Sequence, residues 1–121
     1  MTVSFVAEPA RITTAPRRSV KLLDNSVLTL VCRASGNPAP EVYWSRGGRR
    51  VVAAASRRYR VLEVDAGSVL RVDRVRLRRD DGRVQCVADN GVSEPDTADT
   101  AIHVYTPDNG QPLLLAPSSS S

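Results

Sequence analysis

The segment LTLVCRASGNPAPEVYW, residues 28–44, decides the fold of this 121-residue chain. Val27–Cys32 is an apolar run rich in β-branched residues, and a period of two places Leu28, Leu30 and Cys32 on one face, as in a β-strand with that face buried. The turn-forming residues Gly36-Asn37-Pro38 end this run, and the alternation resumes in Glu41–Trp44. The segment therefore predicts two strands joined by a loop, with a cysteine on the inner face of the first and a tryptophan on the inner face of the second.

The same period recurs later in the chain, in Ser68–Val72, Val84–Ala88 and Thr100–Val104. Turn-forming residues separate the runs, and no stretch shows the 3.6-residue period of an amphipathic helix. Short strands at this spacing predict an all-β sandwich. The positions expected inside it are Leu30, Val42, Leu70, Val72, Ile102 and Val104.

The two cysteines specify which sandwich. Cys32, Trp44 and Cys86 follow the order and spacing of the immunoglobulin signature, in which a disulfide joins the two sheets and the tryptophan packs on it. Two buried free thiols are the alternative and would suit an intracellular module, whereas a disulfide indicates a secreted or cell-surface context.

Several motifs resemble an I-set immunoglobulin domain, namely Gly36-Asn37-Pro38-Ala39-Pro40 before Trp44, Ser68-x-Leu70-x-Val72, and Asp80-x-Gly82-x-x-x-Cys86. Over about residues 5–106 the chain further resembles the first immunoglobulin domain of LAR-type receptor tyrosine phosphatases. The stretches that carry this resemblance are Trp44–Val51, Arg58-Tyr59, Val61–Glu63, Val69–Val72, Arg76–Asp81 and Cys86–Val92. It implies an immunoglobulin-like β-sandwich of two antiparallel sheets at residues 1–106, and the composition of residues 107–121 predicts a Pro/Ser-rich linker or tail.

One position departs from the family pattern. The family usually has a tyrosine two residues before the second cysteine, whose hydroxyl bonds the backbone at the corner before that strand. Here Val84 occupies the position, so that hydrogen bond is absent. A second corner contact, between Arg58 and Asp80, is still expected and is more readily explained by folding than by ligand binding.

Charge is distributed unevenly along the chain. Residues 1–83 carry all 17 basic residues and 8 acidic ones, a net +9, whereas residues 84–121 carry 5 acidic residues and no basic one. Six arginines and no acid lie between Val42 and Leu62, and Gly47-Gly48 predicts a two-residue hairpin that places Arg46 opposite Arg49. Such a pattern favours a polyanionic partner, with a merely solvated charged surface as the alternative.

The resemblance gives this partner a chemical class. In the LAR family the first immunoglobulin domain binds heparan and chondroitin sulfate chains of proteoglycans through a basic loop after the tryptophan. Arg46, Arg49 and Arg50 occupy basic positions of that loop, and Arg76 and Arg79 match its supporting pair, while Gly47 replaces a basic residue. The resemblance thus implies glycosaminoglycan binding by the extracellular part of a single-pass receptor, with other cell-surface proteins as further partners. A structural or homophilic adhesion module without glycan binding is the alternative.

Catalysis, cofactor binding and metal binding are not expected. Two cysteines and one histidine, His103 on a strand, cannot complete a tetrahedral zinc site. The phosphatase activity of the resembled receptors belongs to other domains, and no arginine follows Cys86 to hold phosphate. Nucleic-acid binding is disfavoured because few aromatic platforms lie near the arginines. No apolar run has the length of a membrane span or the pattern of a signal peptide, so we expect no direct membrane contact and, if the protein is extracellular, a fragment of a longer chain.

Overall fold

The computed structural model describes residues 6–52 and 58–106 of the chain, and these form nine β-strands. The strands are β1 (Glu8–Thr14), β2 (Ser19–Leu23), β3 (Leu28–Asn37), β4 (Glu41–Arg46), β5 (Arg49–Arg50), β6 (Tyr59–Val64), β7 (Gly67–Val72), β8 (Gly82–Asp89) and β9 (Asp96–Tyr105). The predicted tail at residues 107–121 lies outside the described residues.

The strands assemble into two sheets, with the order β1-β3-β7-β6 in one and β2-β9-β8-β4-β5 in the other. All pairings are antiparallel except that of β2, which runs parallel to β9. The all-β sandwich is therefore confirmed. The strands that periodicity alone did not reveal, β1, β2 and β6, all lie at sheet edges, and most of their inward side chains are only partly buried.

The predicted disulfide and core are confirmed. Cys32 and Cys86 are bonded across the sheets, and Trp44, opposite Cys86 in the strand register, is fully buried. The indole N–H of Trp44 donates to Ser68 Oγ at 3.1 Å, so its one polar atom is satisfied inside the core. Of the predicted interior positions, Leu30, Leu70, Val72, Ile102 and Val104 are buried and Val42 is partly buried, whereas His103 is exposed as expected.

The strand register separates the charges between the two ends of the sandwich. The β4–β5 turn at Gly47-Gly48 and the β7–β8 loop at residues 73–81 lie at one end, the arginine end, because β4 and β8 are antiparallel. At the other end Glu41 lies opposite Asp89, close to the β8–β9 connection that carries Glu94. Arginines therefore predominate at one end, which also holds Asp73, Asp80 and Asp81, and acidic residues predominate at the other, which also holds Arg11 and Arg33.

Candidate functional site

Asp80 organises the β7–β8 loop at the arginine end. Its side chain is almost fully buried, with the residue 1% exposed. It accepts hydrogen bonds from Arg58 Nη1 at 2.6 Å, from the Tyr59 hydroxyl at 2.7 Å and from the Arg76 backbone N–H at 2.6 Å. The expected pairing of Arg58 with Asp80 is thus present, as a network that joins the start of β6 to the loop.

The network shifts the ionisation of its members. Burial by itself would raise the pKa of Asp80, but the hydrogen bonds from Arg58, Tyr59 and the Arg76 N–H outweigh it and hold that pKa below its usual range. Burial, together with the hydrogen bond to Asp80, raises the pKa of the Tyr59 phenol to about 12. The hydrogen bond to Asp80 also raises the pKa of Arg58. At neutral pH the group is therefore a carboxylate held by a guanidinium and a neutral phenol.

Arg46 connects the end of β4 to the same loop. Its guanidinium donates to the carbonyl oxygens of Arg79, Asp80 and Asp81, each at 2.8 Å, and approaches the Tyr59 hydroxyl at 3.5 Å. Arg46 follows Trp44 by two residues, so both side chains leave β4 on the side of the opposing sheet. Its position thus has a folding explanation, and charge repulsion from Arg49 does not by itself argue for a ligand.

The other two arginines of the hairpin have different surroundings. Arg49 lies opposite Arg46 in the register, as predicted, and is exposed. Arg50 belongs to the outer face of the sheet, where its guanidinium bonds Glu41 at 2.7 Å and lies 4.5 Å from the centre of the Tyr43 ring. Because both partners of the ion pair are half exposed, this pair is weak and open to competition by an anion.

The supporting arginines lie on the loop that Asp80 and Arg46 hold. Arg76 and Arg79 are exposed. Across residues 6–52 and 58–106, neither their guanidinium groups nor that of Arg49 makes an intramolecular hydrogen bond or ion pair. Arg46 joins the segments that carry these three cations, since one of its bonds ends on the Arg79 carbonyl.

Sequence reasoning located the two arginine segments and missed how the chain uses Arg46 and Arg50. A signal for Arg46 was present, because a residue two positions from a buried tryptophan on a strand shares its inward direction. No comparable signal marked the pairing of Arg50 with Glu41, which depends on the tilt of two exposed side chains across Tyr43.

The described segments contain neither a cluster of metal-ligating side chains nor a helix suited to crossing a membrane. No group of three or more histidine, cysteine or acidic side chains there could hold a metal ion. The same segments contain no helix long and apolar enough to cross a bilayer.

The two-sheet fold, its Cys32–Cys86 disulfide and the Arg58–Asp80 contact define an immunoglobulin domain. The family described as "Immunoglobulin domain" matches residues 9–90, so the chain belongs to that family. Within it, the chain is 37% identical over 109 residues to tyrosine-protein phosphatase Lar of Drosophila melanogaster, which covers 88% of this chain and 5% of that protein. It is 38% identical over 78 residues to receptor-type tyrosine-protein phosphatase F of Homo sapiens, with 63% of this chain and 4% of that protein covered.

Solved structures agree with this assignment. The crystal structure of the N-terminal Ig1-2 module of the Drosophila receptor protein tyrosine phosphatase DLAR matches with a TM-score of 0.76 and 36% identity, over 83% of this chain and 50% of that chain. An immunoglobulin domain of a titin M10–obscurin-like 1 complex matches with a TM-score of 0.72 and 28% identity, over 83% of this chain and 97% of that chain. The resemblance to the immunoglobulin region of LAR-type receptors is therefore confirmed.

The match covers only about one twentieth of the length of the curated relatives. The matched part is an immunoglobulin domain, a fold that is itself non-catalytic, and this family membership confirms that the chain is not an enzyme.

Proposed function

We propose that this chain is an extracellular ligand-binding domain of a cell-surface receptor and that it binds sulfated glycosaminoglycan, of the heparan or chondroitin sulfate class, at the arginine end. Arg49, Arg76 and Arg79 are the direct contacts. Arg50 joins them when sulfate displaces Glu41, and Arg46 belongs to the site through its bonds to the loop. The likeness to LAR-type receptors supports the receptor context.

One observation carries the proposal. The guanidinium of Arg46 spans the gap between the β4–β5 turn and the β7–β8 loop, so two arginine segments far apart in sequence present their free cations at one end of the sandwich. Arginine suits sulfate because its planar fork donates two parallel hydrogen bonds to an oxyanion. The acidic opposite end repels a polyanion and so favours attachment at the arginine end.

A second function, adhesion without glycan binding, is favoured by a different observation. Two of the five predicted arginines, Arg46 and Arg50, already have partners within the chain. An adhesion module that used its arginines only for folding and solubility would show the same contacts at Arg46 and Arg50 as a glycan-binding domain. The two functions differ in what the exposed cations do.

The test compares ligands and charge-matched variants. The wild-type domain should bind heparin more tightly than desulfated heparin or double-stranded DNA of similar length, and added salt should weaken the binding. Replacing Arg49, Arg76 and Arg79 together by alanine should abolish most of this binding. The control replaces Arg11, Arg17 and Arg18 by alanine; these residues are also exposed, so the same charge is removed, and this variant should bind nearly as wild type does. Equal losses in both triple variants, or no preference for sulfated chains, would contradict the proposal.

A further inference from the structure

The backbone of the β7–β8 loop is unusual and is held from outside. Arg74 and Arg78 have φ angles of 57° and 68°, the left-handed region that costs a residue with a Cβ atom about 1–2 kcal/mol. Side chains outside the loop bind it: the Tyr59 hydroxyl donates to Asp80, the Asp24 carboxylate accepts the Leu77 N–H, and Arg58 and Arg46 bind it from two further directions. Arg58 pairs with Asp80, whose carboxylate also accepts the Arg76 N–H, and Arg46 binds three successive carbonyls at its end.

The bonds made by Arg46 occupy the place left by the missing tyrosine. Val84 is buried in the core with no hydroxyl to offer, so the corner before β8 lacks the usual side-chain bond to its backbone. The guanidinium of Arg46 reaches the same corner from the neighbouring strand and bonds Arg79, Asp80 and Asp81 instead. Charged donors make stronger hydrogen bonds than neutral ones. The three bonds from the one guanidinium to consecutive carbonyls therefore constrain the whole turn.

We propose that Arg46 is a positioning residue, which fixes the β7–β8 loop against the β4–β5 turn and so sets the spacing of Arg76 and Arg79 from Arg49. It does not itself contact the glycan. The binding part of this inference rests on the proposed function, whereas the effect on the loop does not.

The geometry explains why Arg46 is poorly placed as a ligand contact. Its nitrogens point at carbonyl oxygens of the chain, and each 2.8 Å bond would have to break before a sulfate could take its place. Breaking them would release three carbonyls at a strained corner. Arg49 directly across the hairpin is exposed and meets no such cost.

The test compares Arg46→Gln with Arg49→Gln, which remove the same charge from paired positions of one hairpin. In the unliganded protein, hydrogen exchange at residues 76–82 should accelerate at least about tenfold in Arg46→Gln. The reason is that losing a hydrogen bond from a charged donor changes the equilibrium constant for opening of the loop by at least about tenfold. Exchange in Arg49→Gln should stay at the wild-type rate. The buried Trp44, the sole tryptophan of the chain, reports by its fluorescence that each variant is folded.

Heparin binding provides the second readout. Both variants should bind heparin more weakly, but only Arg49→Gln should reduce the slope of log affinity against log salt by about one, because only a contacting cation releases a counterion. Unchanged loop exchange in Arg46→Gln would overturn the inference, and so would a slope reduced as much as in Arg49→Gln. Faster loop exchange without any change in heparin affinity would overturn the positioning role. Failure of the wild type to prefer heparin over DNA is a separate result, which contradicts the proposed function and leaves the loop measurement unaffected.

Discussion

Replacing Asp80 by alanine should be the most damaging single change at the arginine end. The carboxylate is buried and holds Arg58, Tyr59 and the Arg76 N–H, so its loss leaves a guanidinium, a phenol and a backbone donor without their acceptor. Removing one partner of a buried ion pair typically costs about 3–5 kcal/mol. Because such domains are stable by about 5–15 kcal/mol, we expect Asp80→Ala to remove about a fifth or more of the free energy of unfolding.

Asp73 offers a matched control in the same loop. It pairs with Arg71 at 2.9 Å and Arg60 at 3.7 Å, but both arginines are about half exposed. Exposed pairs contribute about 0–1 kcal/mol, so Asp73→Ala should cost less than 1 kcal/mol. Urea denaturation of both oxidised variants at neutral pH measures the difference, and equal losses would refute the assignment of Asp80 as the organiser of the loop.

The pH dependence tests the same assignment. Because the folded state lowers the pKa of Asp80, its contribution is complete above the ordinary value of 3.8 and is lost as the pH falls through the lower, folded value. The stability gap between wild type and Asp80→Ala should therefore narrow as the pH is taken from neutral to about 2. A gap independent of pH would show that packing, not the charge of Asp80, accounts for the loss.

Three further outcomes are expected. Burial raises the pKa of Tyr59 from 10.0 to about 12, so the wild type should lose at most about 2.7 kcal/mol of stability between these pH values. Tyr59→Phe should lack this loss, and the same dependence of unfolding free energy on alkaline pH in both proteins would contradict the prediction. Glu41→Gln should tighten heparin binding, measured by calorimetry, because it frees Arg50 and removes a nearby negative charge; weaker binding would show that the ion pair orients Arg50 productively. Gly67→Ala should destabilise the fold by about 3 kcal/mol or more, since a Cβ there collides with the Cys32 carbonyl oxygen, and a wild-type melting temperature would contradict the register of β3 and β7.

The central part of the fold was predictable from the sequence because its strands are buried on one face. Leu30, Trp44, Leu70 and Ile102 alternate with less buried neighbours, and the spacing of the cysteines identifies the two strands that the disulfide joins. Edge strands such as β1 carry weaker alternation, because they bury fewer side chains and much of their stability comes from pairing with a neighbour.

The candidate site was predictable only as a set of arginines. Sequence spacing gave the hairpin that pairs Arg46 with Arg49, and the strand register agrees. The hydrogen bonds of Arg46 link residues 33 to 35 positions apart, and the pairing of Arg50 with Glu41 spans nine, so neither follows from a local pattern. The partition of five similar cations into a positioning residue, a weakly paired residue and three exposed residues depends on tertiary structure.

Backbone and arginine side-chain NMR signals, followed while a heparin-derived hexasaccharide is added, test the central claim most directly. Shifts should concentrate on Arg49, Arg76 and Arg79, Arg50 should follow as it leaves Glu41, and the side-chain signal of Arg46 should stay nearly unmoved. Shifts spread evenly over exposed arginines such as Arg17, or centred away from the arginine end, would contradict that claim.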